Sequence, residues 1–414
     1  MKKYLRIIAS FLCIVAITLL LLGAVANAVS RKDSAIKNGD FLEEEAELDA
    51  FFMGSSHMLN AVFPMELWEE YGITSYNFGG HGCRIPTSYW IMQNALNYKK
   101  PKVIVIDCYY LSADILHDDV KEFVHMSLDA FPLSATKIDA INDLFDSEKD
   151  RMSFLWPFST YHNRWKELTE ADFESSYSTE KGANIRIGYR YFDKPESISE
   201  GDSFSGESQG VIYLKKMIEH CKQNEIDVVL TYMPFVAAEW AQREANRVHN
   251  IADEYGVEYL DYETLSAQIN YALDFADNGH LNYAGGAKIT SYIGRILSEK
   301  YGLTDKRNDA LSNDWQEDAC AYKTFKESLL NEQKSAMMFM PLLADKSLSF
   351  ALLYNARCNN TGIKAMMQGL GVSEKILQSG DSLLLFVDHK EHVNTVIFDG
   401  ESCDSRYGTL ELLT

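Results

Sequence analysis

Three short stretches hold residues whose types and spacing suit acyl chemistry. Phe51-Phe52-Met53-Gly54-Ser55-Ser56-His57 carries an apolar run straight into a Gly-Ser-Ser turn. Glycine permits a sharp turn, a strand delivers the Ser56 hydroxyl to the carboxyl edge of a sheet, and a helix starting there offers N–H groups to developing negative charge. Serine is also a common helix N-cap, so this stretch alone reads equally as a cap. Far downstream, Asp277-Asn278-Gly279-His280 sets an acid three residues before an imidazole. One loop can then supply both a general base and the carboxylate that orients it, although alone it reads as a solvated loop. Between them, Asn77-Phe78-Gly79-Gly80-His81-Gly82 follows a second apolar run. Paired glycines would let backbone N–H groups approach an acyl oxygen, and a plain glycine turn fits them as well.

Other residues are weaker candidates. His57 lies next to the serine and cannot readily reach back to it, so it is expected to line the cleft. Tyr109 follows the third apolar run, and Arg84 could meet an anionic group. Tyr161-His162-Asn163-Arg164-Trp165 joins aromatic rings to a cation and suits a sugar or anionic polymer, with His162, Arg164 and Trp165 as contacts. A helix with a buried Trp and a snorkelling Arg is the alternative. Asp388, His389 and His392 read as a solvated hairpin connection rather than metal ligands. Neither a metal nor a cofactor is called for.

The elements that must position these residues alternate. Short apolar runs at Ala50–Met53, Thr74–Phe78, Val103–Ile106, Val228–Tyr232 and Val257–Leu260 read as buried parallel strands. Helical patterns lie between and after them, at Met65–Tyr71, Pro86–Tyr98, Ser208–Asn224, Ala237–Tyr255 (with Gly256 as its cap) and Gly285–Tyr301. The pattern predicts an α/β fold, a three-layer α/β/α sandwich around a parallel five-stranded sheet. Residues 111–205 are too long for a crossover and read as an insertion. Residues 30–46 read as a polar stalk, 47–305 as the main domain, 306–319 as a linker, and 320–414 as a small α+β or β-rich domain.

Residues 1–29 place the rest of the chain outside the cytosol. Lys2, Lys3 and Arg6 precede an uncharged run, Ile7–Ala26, long enough for a ~30 Å hydrocarbon core. Ala26-Asn27-Ala28 has the form of a signal-peptidase site, but the run exceeds the ~7–15 residues of a signal core, which favours a retained anchor. With 39 basic and 60 acidic residues the net charge is −21, which disfavours nucleic acid. The seven cysteines show no metal-binding spacing and read as isolated thiols.

Taken together, the nucleophile after the first strand, the glycine loop after the second and the Asp-x-x-His after the fifth resemble the SGNH (GDSL-type) hydrolase superfamily, over roughly Asp49–Leu303. The resemblance implies Ser56 as nucleophile, His280 as base and Asp277 as its partner, with Gly80, or else Gly79, as the oxyanion glycine beside the Ser56 amide. Asn77, in a different loop from the superfamily's own oxyanion Asn, is a candidate substitute donor. Gly-Ser-Ser in place of Gly-Asp-Ser, the apolar N-terminus and the Gly-Gly loop are similar to an extracytoplasmic branch that includes the teichoic-acid D-alanylation and alginate-type O-acetylation proteins. That branch works beside a multispanning membrane-bound O-acyltransferase. It implies acyl transfer to, or de-esterification of, a cell-surface polysaccharide or teichoic acid. The superfamily's third-block Gly-x-Asn has no counterpart here, since the third strand ends Ile106-Asp107-Cys108-Tyr109-Tyr110. Either a tyrosine hydroxyl substitutes or the hole is incomplete. A non-catalytic scaffold or glycan-binding protein that kept the fold is therefore the alternative function.

Overall fold

The computed structural model describes residues 2–29, 32–112, 117–173, 178–309, 313–355, 357 and 360–412. Helix α1, Lys2–Val29, contains the span Tyr4–Ala26, which is long and apolar enough to cross a membrane or to act as a signal sequence. Helix α2 follows at Lys32–Glu43. It is not a stalk: Phe41 is fully buried, edge-on to Phe51 and Phe78. One aromatic side chain therefore anchors a polar helix to the core, which its composition conceals.

The chain then alternates: β1 (Ala50–Met53), α3 (Ser56–Ala61), α4 (Pro64–Tyr71), β2 (Ser75–Asn77), α5 (Ile85–Leu96) and β3 (Val103–Asp107). After α6 (His117–Leu128), α7 (Ala135–Leu144), α8 (Glu148–Leu155) and α9 (Pro157–Tyr161), the sequence returns through α10 (Gln209–Gln223), β4 (Asp227–Thr231), α11 (Glu239–Tyr255), β5 (Glu258–Leu260), α12 (Tyr262–Ser266) and α13 (Tyr283–Tyr301). The five strands form one parallel sheet in the order β2-β1-β3-β4-β5. β1 and β3 are buried along their whole length, as a parallel sheet covered on both faces requires. The covering helices fall into two groups, α3 and α4 with α13, and α5 with α10. In this strand order the chain switches direction between β1 and β3, and the crevice beyond their carboxyl ends is where open α/β sheets bind ligands.

The second half of the expected insertion is not a separate module. Residues 182–192 run extended across the main domain, with the Asn184 amide donating to Leu59 O (3.0 Å), Tyr283 N to Arg186 O (2.8 Å) and Arg190 N to Phe275 O (2.8 Å). The expected linker is also corrected. Residues 313–319 open α14 (Asn313–Glu332), where Trp315 is fully buried against Trp68 at 5.4 Å between ring centroids. Buried Lys326, farther along α14, pairs with Glu66 (2.7 Å) and Asp345 (2.8 Å). The C-terminal unit thus begins past α14. It comprises α15 (Ala336–Phe339), the antiparallel strands β6 (Ser349–Tyr354), β7 (Leu383–Asp388) and β8 (Val393–Phe398), helices α16 (Thr361–Gly369) and α17 (Glu374–Gln378), and the hairpin β9 (Ser402–Ser405)–β10 (Gly408–Glu411). A second core of Met340, Tyr354, Met367, Leu383 and Leu385 supports it. In the β7–β8 connection the His389 imidazole bonds to Leu343 O (3.0 Å) and Asp388 pairs with Arg406 (2.8 Å).

Trp315→Ala should therefore destabilise the protein by about 3–5 kcal/mol in denaturant unfolding, as loss of a buried indole does. A change below about 0.5 kcal/mol, the range of exposed positions, would mean this stretch is a linker after all.

Candidate active site

The turn that carries Ser56 is built by two strand ends. Met53 and Ile106 are paired across β1 and β3, so Gly54 and Asp107, one residue further on, are neighbours. A Cβ on Gly54 would lie 2.8 Å from the Asp107 Cβ, and its φ is +150°, so only glycine suits the position. Asp107 is buried and accepts from Ser55 Oγ (3.3 Å) and the Met233 amide (3.1 Å). Burial pushes its carboxyl up to about 7, against those hydrogen bonds. Ser55 caps α3, its Oγ accepting from the His57 amide (3.2 Å). Asp107 holds Ser55, and Ser55 leaves Ser56 facing outward on the first turn.

His280 reaches Ser56 because α13, which starts three residues after it, packs on α3. The Phe63 amide donates to Thr290 Oγ1 (3.0 Å), and that hydroxyl donates to Ala61 O (3.2 Å). These bonds tie the C-terminal end of α3 to the middle of α13. Ser56 Oγ lies 2.9 Å from His280 Nε2, and His280 Nδ1 lies 2.8 Å from Asp277 Oδ1. The same Asp277 oxygen accepts the Gly279 and His280 amides, each at 2.9 Å, which fixes the carboxylate in the loop. Arg186, from the extended segment, donates to Asp277 Oδ2 (2.8 Å). Nothing in the sequence spacing marked Arg186, because residues 182–192 form neither helix nor strand and leave no period to detect.

The electrostatics favour a neutral imidazole beside an ionised acid. Burial and then the Arg186 charge lower His280 below the ordinary histidine value, outweighing the Asp277 carboxylate. Burial raises Asp277, but the Gly279 amide, His280 and Arg186 together hold it below the usual range. Next to the serine, the buried His57 ring lies 4.0 Å from Tyr109, 4.8 Å from Phe235 and 5.7 Å from His280, centroid to centroid. Its Nδ1 is buried without a hydrogen-bond partner among the described residues. Burial, reinforced by His280, lowers His57 to about 3, so it stays neutral, packed against Tyr109. Burial raises the Tyr109 phenol to about 12.

The expected oxyanion loop is corrected. The Gly80 amide donates to Gly54 O (3.1 Å) and the Gly79 amide to Asn77 Oδ1 (2.8 Å), while Asn77 Nδ2 donates to Met58 O (2.9 Å) and Val62 O (2.7 Å). Gly79 is required by close approach, since a Cβ there would lie 2.5 Å from the Leu59 nitrogen. These residues brace α3 instead of presenting donors to a ligand. The Ser56 backbone N–H, at the start of α3, has no acceptor among the described residues. Arg84 stacks on Tyr110 at 5.3 Å. His162, Arg164 and Trp165 lie in a 3-10 turn packed on α1, and Arg164 is taken up by Asp172 (2.8 Å) and Val29 O (3.2 Å).

A native His57 that stays neutral to about 3 binds fewer protons than its unfolded counterpart at 6.5, so its contribution to stability shrinks as pH falls from 6.5. His57→Leu should flatten the acid-side decline in unfolding free energy by up to ~1.4 kcal/mol per pH unit, measured by urea titration between about pH 6.5 and 4.5. An unchanged slope would show that the imidazole is solvated.

Comparison with protein-family models finds no match to this chain, and comparison with curated proteins finds none either.

Proposed function

We propose that the chain is an extracytoplasmic serine acyltransferase or esterase of SGNH type, anchored by α1 and working through an acyl-serine at Ser56. The observation that carries this reading is the continuous line of Ser56 Oγ, His280 and Asp277, at 2.9 Å and 2.8 Å. In this reading Ser56 Oγ attacks the carbonyl carbon of an ester while its proton passes to His280 Nε2. Asp277 keeps Nδ1 protonated and stabilises the imidazolium. The Ser56 amide faces the oxyanion. The intermediate collapses, expelling an alcohol that leaves with the proton from His280. A second hydroxyl, of a surface polymer in a transferase or of water in an esterase, then attacks the acyl carbon as its proton passes to His280, and that proton returns to Ser56 Oγ as the acyl–serine bond breaks.

The neutral ring of His57 with Tyr109 and Phe235 forms an aromatic wall beside the base, suited to a short acyl chain and to excluding water. By resemblance, the acceptor is a cell-surface polysaccharide or teichoic acid and the acyl donor is supplied by a multispanning membrane acyltransferase. The engaged glycine amides favour the competing reading of a glycan-binding scaffold that kept the fold.

A fluorophosphonate probe separates the two readings. The wild-type protein should be labelled at Ser56, and labelling should vanish in Ser56→Ala and His280→Ala. A folded wild type that resists the probe, with polymer affinity retained in Ser56→Ala, would mark a scaffold.

Arg186 provides a second test. Because its charge lowers the His280 pKa, Arg186→Gln should move the acid limb of the labelling-rate profile to higher pH while labelling persists above neutrality. An unmoved limb would mean that a group other than His280 governs the reaction.

A further inference from the structure

Exposure along α1 changes where the insertion meets it. Every residue from Tyr4 to Leu21 is exposed, a length of about 27 Å at 1.5 Å per residue, close to a hydrocarbon core. Leu22 and Ala26 are partly covered and Val29 is buried. The cover comes from α9 and the 3-10 turn His162–Lys166, and Arg164 Nη1 donates to Val29 O (3.2 Å) at the helix's C-terminal end. A cation there also complements the helix dipole.

Around this contact three large aromatic residues face outward. Trp156 is 43% exposed, Trp165 64% and Phe173 68%, with Lys166 Nζ over the Trp165 ring at 5.7 Å. Isolated exposed aromatics are ordinary. Here three fall within one short segment, beside two cations, where an apolar helix leaves the protein. Tryptophans and basic side chains in that position are the composition of a membrane interface.

We propose that residues 156–173 are a seat for the outer leaflet, with Trp156, Trp165 and Phe173 lying among phospholipid headgroups beside α1. The occupant is the bilayer that α1 enters, because the surface is continuous with that helix's apolar span. This inference rests on α1 being retained as an anchor. It also gives His162, Arg164 and Trp165 a task other than binding a sugar polymer.

The test uses the full chain in phosphatidylcholine–phosphatidylglycerol nanodiscs, with or without lipids brominated near the headgroup end of the acyl chain. α1 contains no tryptophan, so quenching reports only on residues outside it. Brominated lipid should reduce tryptophan emission in the wild type, and Trp156→Phe/Trp165→Phe should abolish that reduction. Equal emission in both lipids, from a chain that is embedded and whose intact mass includes residues 1–28, would overturn the seat alone. So would quenching that survives in the double variant, or tryptophan burial seen in native membranes but not in lipid discs, which would point to a protein partner. A membrane-extracted chain whose mass lacks residues 1–28 would instead remove the anchor, and the seat with it.

Discussion

The buried carboxylate at the end of β3 is the constraint from which the rest of the crevice follows. Asp107 occupies the space that a side chain at position 54 would need, and it accepts from both Ser55 Oγ and the Met233 amide. It therefore ties three consecutive strands of the sheet, β1, β3 and β4, at one point. A buried carboxylate with fewer donors would be costly, and one with these donors locks the turn that presents Ser56. The serine's position is thus set by main-chain geometry and a single acid, while the imidazole's position is set by helix packing more than two hundred residues away.

Two segments outside the α/β core hold these halves in register. The extended chain of residues 182–192 bonds to Leu59 on α3 and to Tyr283 at the head of α13, and it delivers Arg186 to Asp277. α14 is held to the core through buried ion pairs: Lys326 on α14 with Glu66 and Asp345, and Lys181, just before the extended segment, with Glu44 and with Asp318 on α14. Removing one partner from such a cluster leaves an uncompensated buried charge, so these contacts specify one arrangement even where their net stabilisation is small.

Much of this was legible in the sequence. The five apolar runs correspond to the five strands within a residue or two, because a strand buried on both faces leaves a continuous signal. Pro86 and Gly256 bounded their helices as backbone chemistry dictates. The Gly-Ser-Ser turn and the Asp-x-x-His loop were legible as motifs, since each places its groups locally. What was hidden depends on partners distant in the chain. Phe41 makes a polar helix part of the core, Trp315 does the same for a stretch that looks like a linker, and Asn77 spends its amide on α3. The glycine pair was read as a donor loop, yet it is needed because the backbone of α3 comes so close to it. Arg186 lies in extended chain that pairs with loops, and such chain leaves no period to detect.

The way α2 follows α1 has a consequence for reach. α2 begins three residues after α1 ends, and Phe41 pins it into the core. A chain held by α1 in a bilayer therefore has no slack with which to sweep the space above the lipid. Under the proposed function its serine would then sit at one height above the lipid, and an ester on a long polymer would be reachable only where the polymer passes through that plane.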